Sequence, residues 1–178
     1  MILMPLSLSK CIINYELKEA LSLNWEVKKF KELKGEEIYK ILKIRNEVFI
    51  VEQHCAYQDC DDKDSGAYHL FWQDNNGIVA YLRILQTGVS YNEISVGRVL
   101  VNKIHRRKGI AREMMLLAIK FIEEKLNERE IRISAQAHLV DFYRSFGFEE
   151  VSNMYLEDGI PHIEMLYKKL YDKRQQKL

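Results

Sequence analysis

The residues Val99-Leu100-Val101-Asn102-Lys103-Ile104-His105-Arg106-Arg107-Lys108-Gly109-Ile110-Ala111 carry the most legible chemistry in this chain. An apolar strand runs into a basic turn, and the turn opens into a helix expected from Gly109 to about Asn127. Gly109 permits the tight bend without a Cβ clash. The N–H groups of a first helical turn have no acceptor inside the helix and lie at the positive end of its dipole. Arg106, Arg107 and Lys108 add side-chain charge at the same place. Amides and cations together make an anion site, which suits a pyrophosphate better than one carboxylate. A basic surface turn capping an ordinary helix carries the same residues, so the turn alone leaves both readings open. The pattern is neither the dinucleotide G-x-G-x-x-G nor G-x-x-x-x-G-K-[ST].

A second constellation lies downstream. Ile131 to Ala137 reads as a strand that leads into Leu139-Val140-Asp141-Phe142-Tyr143-Arg144-Ser145-Phe146-Gly147-Phe148-Glu149. A tyrosine on a short helix here is followed by a small residue, then Phe-Gly-Phe. Such a tyrosine is often simply packed, its hydroxyl bonded to backbone.

The elements that must position these residues alternate between strand and helix, without repeats or low-complexity linkers. Trp25 to Leu33 alternates as a first strand, and Glu36 to about Gln53 carries Ile38, Ile41, Leu42, Val48 and Phe49 at helical spacing. Residues 54–67 form an acidic loop. His69–Gln73 and Ile78–Thr87 flank Asp74-Asn75-Asn76-Gly77, whose Asn-Gly is a hairpin signal. Ile94 to Val101 feeds the anion turn, and the helix after it presents Met114, Met115, Leu117, Ala118, Phe121, Ile122 and Leu126 to a core. Residues 149–157 and 162–170, joined through Asp158-Gly159-Ile160-Pro161, make a closing hairpin. The fold class is α+β: a central mixed sheet with helices on both faces.

Composition narrows the function further. A chain of 178 residues fits one domain with a full core. The balance of 27 basic against 26 acidic residues gives +1, so no global field favours nucleic acid or an anionic membrane. No apolar run reaches the roughly 18–20 residues of a membrane span. Met1 to Ser9 is apolar but lacks a positive leader and a small-residue cleavage site, so residues 1–24 read either as a cytoplasmic extension, with a helix over Asn14–Leu23, or as a translated upstream segment. Cys11, Cys55 and Cys60 are an odd count that argues for reduced thiols. Cys55, Cys60 and His54 lack a second ligand pair for zinc, and Asp59, Asp61, Asp62 and Asp64 lack the glycine and glutamate of a calcium loop, so no metal is expected.

Arg106-x-x-Gly109-x-Ala111 resembles the acyl-CoA pyrophosphate loop of GNAT-fold N-acetyltransferases, and the Tyr143 segment resembles the second signature of that family. Further stretches resemble its ElaA-like branch: Arg45-x-x-Val48-Phe49-x-Val51-Glu52-Gln53, Tyr57-x-Asp59-x-Asp61-x-x-Asp64, Gly97-Arg98-Val99, Ala135-Gln136-Ala137 and Glu157-Asp158-Gly159-Ile160-Pro161-His162. The resemblance spans a domain over 25–171, leaving a tail at 172–178. It implies the acyl-CoA N-acyltransferase fold, with a mostly antiparallel mixed sheet. It also implies direct acetyl transfer from acetyl-CoA to an amine-bearing small molecule or peptide, in the cytoplasm, with a homodimer possible.

The cofactor-binding residues so implied are Val99, Leu100, Val101, Arg106, Arg107, Lys108, Gly109, Ile110 and Ala111. A backbone N–H near Val99 would meet the developing oxyanion, and Tyr143 would protonate the departing thiolate. Glu52, Glu157, His138 and His162 adjoin signature segments and are candidates to take the acceptor's proton. Asp59, Asp61 and Asp64 could attract a cationic amine. Two alternatives remain. Arg45, Val48-Phe49, Asp61, Asp64, Arg83 and Arg98 also resemble acyl-homoserine-lactone synthases, and a non-catalytic CoA-binding regulator could share the scaffold.

Overall fold

Alternation along the strands sorts their side chains onto two faces, and each face is covered by a helix. The computed structural model describes residues 25–169, so the expectations for residues 1–24 and 170–178 lie outside the described residues. The strands are β1 (Trp25–Lys29), β2 (Tyr68–Asp74), β3 (Gly77–Leu85), β4 (Ile94–Val101), β5 (Glu130–Gln136), β6 (Phe148–Glu150), β7 (Tyr155–Glu157) and β8 (Ile160–Lys168). The helices are α1 (Gly35–Arg45), α2 (Ile110–Lys125) and α3 (Val140–Arg144). On the first face Leu82, Ile84, Val96, Ile131 and Ile133 pack against Met114, Met115, Ala118 and Ile122 of α2. On the second, Phe71, Tyr81 and Leu100 meet Ile41 and Ile44 of α1. Helices therefore do cover both faces.

The sheet runs β1-β2-β3-β4-β5-β8-β6, with β7 also on β8. Every pairing is antiparallel except β4 with β5. That parallel ladder consists of Ile94 with Ile131 and Ser95 with Arg132, and then the strands part. A cause sits in β4 itself. Arg98 adopts φ +53°, and the β3–β4 register shifts between Tyr81 and Arg83. A bulge of this kind bends and twists its strand. The result is an open gap between the C-terminal halves of β4 and β5.

Three boundaries differ from the sequence reading. β1 ends at Lys29, where the Glu32 carboxylate accepts the Lys29 N–H at 2.8 Å and a 3₁₀ turn over Phe30–Glu32 begins. α1 stops at Arg45 and continues as a π-helix over Asn46–Glu52. The run Val48-Phe49-Ile50-Val51, three β-branched residues and an aromatic one, is a poor α-helix former, and the wider winding keeps Val48 buried while Val51 stays exposed. The first arm of the closing hairpin divides into β6 and β7, because Glu150 pairs with Met165 but Tyr155 with His162 and the residues between bulge out.

The acidic loop is held to the second face by charge. Arg45, fully buried, donates from Nε to Asp59 at 2.8 Å and from Nη1 to Asp64 at 2.9 Å. Arg83 grips both Asp61 oxygens at 2.6 and 2.7 Å and reaches Asp64 at 2.9 Å. Arg98 completes the set with Asp59 at 2.6 Å. The expectation that Asp59, Asp61 and Asp64 attract a cationic amine is corrected here, since three guanidinium groups already neutralise them.

Burial alone would raise Asp61, but the hydrogen bonds and charge of Arg83, with Arg98, pull it down to about 2. Asp64 is shifted the same way: burial opposes, and Arg83 and Arg45 prevail. Both carboxylates are more acidic folded than unfolded, where an aspartate titrates near 3.9. The stability they contribute is therefore complete above about pH 4 and is lost as the pH falls toward 2. Thermal melts should show that loss, and a shallower one in Arg83→Met. Removing one buried partner strands the others, so Arg45→Ala should cost about 3–5 kcal/mol in denaturant unfolding.

Candidate active site

The basic turn sits where β4 ends, at the mouth of the gap. Arg107 and Gly109 take left-handed backbone, φ +63° and φ +81°, and Gly109 caps α2. Turns of this kind point successive N–H groups into one concavity. Among the described residues, the backbone N–H groups of Arg107, Lys108, Gly109, Ile110 and Ala111 have no main-chain acceptor. The Ile110 side chain is buried in the first core, so its contribution to the site is its amide. The Arg107 and Lys108 side chains have no partner among the described residues.

Arg106 plays a different part from the one expected. Its Nε donates to the Val101 carbonyl at 2.9 Å, and its two Nη atoms hold Glu52 at 2.6 and 2.9 Å. The side chain latches the turn to the end of β4 and to the π-helix. Glu52 is thereby corrected as a candidate base. The Arg106 hydrogen bond outweighs burial and holds its carboxyl below the usual range, so it stays ionised and paired.

Along β4, Val99 packs on the first core, while Leu100 and Val101 pair with Tyr81 and Ala80 of β3. The other edge of this stretch borders the gap. Tyr143 stands on the first face, 6% exposed, with its ring against Phe142 at 5.1 Å and Phe148 at 6.1 Å. Burial pushes its phenol up to about 12, so it is a protonated donor at neutral pH. Its hydroxyl has no hydrogen-bond partner among the described residues. Among those residues the fully enclosed side-chain nitrogen or oxygen without a partner is Arg83 Nε, so the Tyr143 oxygen opens onto accessible space.

The remaining candidates lie on the second face or beside it. His138 is exposed in a 3₁₀ turn after β5. His162 is held at Nδ1 by the Ile160 carbonyl at 2.8 Å, and its ring stacks on Tyr155. Glu157 accepts from Ser134 Oγ at 2.8 Å, and Ser134 also meets the Tyr155 hydroxyl at 2.6 Å. The sequence reading singled out neither Ser134 nor Tyr155. Strand alternation in β5 could have placed Ser134 on the second face, but only the β5–β8–β7 register brings Glu157 to it. Cys55 and Cys60 are free thiols, and Cys55 donates weakly to the Asp158 carbonyl at 3.5 Å.

A short parallel strand pair that parts ahead of a turn with unpartnered amides and a helix start is an open-edged site with room for an extended, anionic ligand. The family model described as "Acetyltransferase (GNAT) domain" matches residues 30–169. Protein ElaA of Escherichia coli is 36% identical over 145 residues, covering 80% of this chain and 95% of its own. The UPF0039 protein sll0451 of Synechocystis is 38% identical over 149 residues, covering 83% and 97%. A crystal structure of an acyl-CoA N-acyltransferase from Pseudomonas aeruginosa superposes with a TM-score of 0.76 at 35% identity, covering 82% of this chain and 99% of that one. The chain belongs to the GNAT acetyltransferase family, in its ElaA-like branch. It is an acyltransferase, and acyl-CoA is its donor class. No helix among the described residues is long and apolar enough to cross a membrane.

Because Glu52 holds Arg106 rather than a proton in flight, Glu52→Gln should leave the shape of the pH–rate profile unchanged. Its expected effect is a few-fold rise in the acyl-CoA dissociation constant as the latch loosens, on the scale of an exposed ion pair. A profile that loses its acidic limb in this variant would restore Glu52 as the base.

Proposed function

We propose that this protein transfers acetyl from acetyl-CoA directly to an amine-bearing small molecule or peptide. The observation that carries the reading is one gap with two complementary ends. Unpartnered amides of residues 107–111 lie at its mouth, and the unpartnered Tyr143 phenol belongs to the face beside it. Those amides, with the Arg107 and Lys108 side chains, would hold the pyrophosphate, and the free edge of β4 over Val99–Val101 would pair with the amide-bearing arm. A β4 N–H near Val99 would stabilise the oxyanion that forms as the amine attacks the thioester carbonyl. Tyr143 would give its proton to sulfur as the carbon–sulfur bond breaks. The free thiols Cys55 and Cys60 fit a reducing, cytoplasmic setting.

The two alternatives fare less well on the same geometry. Arg45, Asp61, Asp64, Arg83 and Arg98, which resemble residues of acyl-homoserine-lactone synthases, bond to one another and are explained as the clamp on the acidic loop. A regulator that only binds CoA has no use for a buried phenol with an open hydroxyl. Release of free thiol from acetyl-CoA in the presence of amines separates the enzyme from the regulator. Product analysis with and without S-adenosylmethionine separates the two reactions.

Gly109→Asp tests the donor site. An added Cβ meets no atom within 4 Å, and aspartate tolerates left-handed backbone better than most residues, so the fold survives. Its charge would stand where phosphates sit, so calorimetric acetyl-CoA affinity should fall at least about tenfold. Unchanged affinity in a folded variant would overturn the assignment.

Tyr143→Phe keeps the ring and its packing and isolates the hydroxyl. Turnover should fall by about tenfold to a hundredfold while acetyl-CoA affinity holds, since a thiol with pKa near 8.5 is already a fair leaving group. Wild-type turnover under chemistry-limited conditions would leave Tyr143 as a packing residue.

A further inference from the structure

We propose that the acceptor amine loses its proton through Ser134 to Glu157, on the sheet face opposite Tyr143. The inference rests on the acetyltransfer reading above and names the half of the site which that reading leaves open. Ser134 alternates with Ile133 and Ala135, both packed in the core that contains Tyr143, so it points to the second face. Arg132 is the last β5 residue in the β4–β5 ladder, which puts Ser134 beside the open part of the gap. Proton donor and proton acceptor thus stand on opposite sides of the space between β4 and β5. A planar thioester lying in that space would meet the attacking nitrogen on the face toward Ser134 and leave its sulfur within reach of the Tyr143 side.

The hydrogen bonds give the relay a direction. A carboxylate can only accept, so Ser134 donates to Glu157 at 2.8 Å, and the Tyr155 hydroxyl donates to Ser134 at 2.6 Å. A serine oxygen has two lone pairs, and Tyr155 uses one. The second is available to an incoming N–H. The titratable and charged groups around this trio are Tyr91, Arg132, His162, Glu164 and Cys55. Arg132 is fully engaged, holding Glu93 at 2.7 and 3.0 Å and Glu164 at 2.8 Å. Glu157 has no ion-pair partner among the described residues. The hairpin tip is tied across this face by Cys55 to the Asp158 carbonyl, and β5 by Gln136 to Gln53 at 3.3 Å. These ties wall in the side from which an acceptor would enter.

The step balances without a further reactant. The acceptor ammonium first passes one proton to Ser134 Oγ as the Ser134 proton passes to Glu157, and the nitrogen lone pair so freed bonds to the thioester carbon. The carbon–sulfur bond then breaks as sulfur takes the Tyr143 proton, and the second nitrogen proton leaves to water, giving amide and free thiol. Glu157 is exposed and returns its proton to water, and Tyr143 regains one from water. The acceptor class is a primary amine that arrives with a proton to lose.

The test uses the full chain, acetyl-CoA, and benzylamine, putrescine or a lysine-containing tripeptide as acceptor, with hydrolysis by water measured in the same thiol-release assay. Glu157→Gln should lower kcat on the order of a hundredfold while calorimetric acetyl-CoA affinity stays at the wild-type value. Its rate should climb with pH where the wild-type rate is level, because only a pre-deprotonated amine can then react. Ser134→Ala should behave alike, and Ser134→Thr, which keeps the hydroxyl and suits a strand, should recover most of the rate. Variants that bind acetyl-CoA yet keep the wild-type rate and pH profile overturn the relay while leaving the acetyltransfer reading intact. Wild-type protein that binds acetyl-CoA but releases no thiol with any probe or with water overturns the relay too. Wild-type protein that does not bind acetyl-CoA overturns the reading on which it rests.

Discussion

Backbone N–H and C=O groups demand partners, and an unpaired one away from water costs as much as a lost hydrogen bond. β4 and β5 break that demand deliberately. Their ladder stops after Ser95 and Arg132, and the bulge at Arg98 turns the rest of β4 away. The unpaired edge leads straight to a turn whose amides are also without main-chain acceptors among the described residues. A ligand that offers amide groups followed by phosphates would satisfy both stretches in sequence, which is how this one irregularity fits the acyl-CoA donor class of the family. On the proposed reading it also separates the two halves of the reaction, because Tyr143 belongs to the first face and Ser134 to the second.

Such an opening weakens the sheet at its centre, and the Arg/Asp cluster offsets that weakness. Arg83 on β3 and Arg98 on β4 are joined by Asp61 and Asp59 of the loop, and Arg45 adds α1. Arg98 is the bulged residue itself, so the strained backbone conformation is held by its own side chain. Buried ion pairs give little net stability against an apolar replacement, but breaking one member is costly. Here the geometry assigns them a positioning role. They carry the loop and the residues after the π-helix to the side of the sheet where Gln53 and Cys55 meet β5 and the hairpin tip.

Much of the fold was legible in the sequence because its signals are local. The apolar stripe of α2, the Asn-Gly hairpin and the Gly109 turn each depend on residues close in the chain, and each stands where expected. What the sequence did not disclose depends on pairing between distant segments. By sequence Glu52 is a candidate base and Asp59, Asp61 and Asp64 a cation attractor, whereas the fold pairs the first with Arg106 and the others with Arg45, Arg83 and Arg98. Ser134 and Tyr155 carried no motif at all. Their proximity to Glu157 follows from the register of β5, β8 and β7, which no local pattern encodes.

The claim on which everything else hangs is that the open β4 edge and the turn after it receive one continuous ligand. Residue-resolved amide hydrogen exchange on the full chain, with and without acetyl-CoA, measures this directly. The account predicts strong added protection at the amides of the gap-facing edge from Gly97 to Val101 and at those from Arg107 to Ala111, appearing together at one ligand concentration. Protection confined to the turn, or located away from β4 altogether, would contradict it.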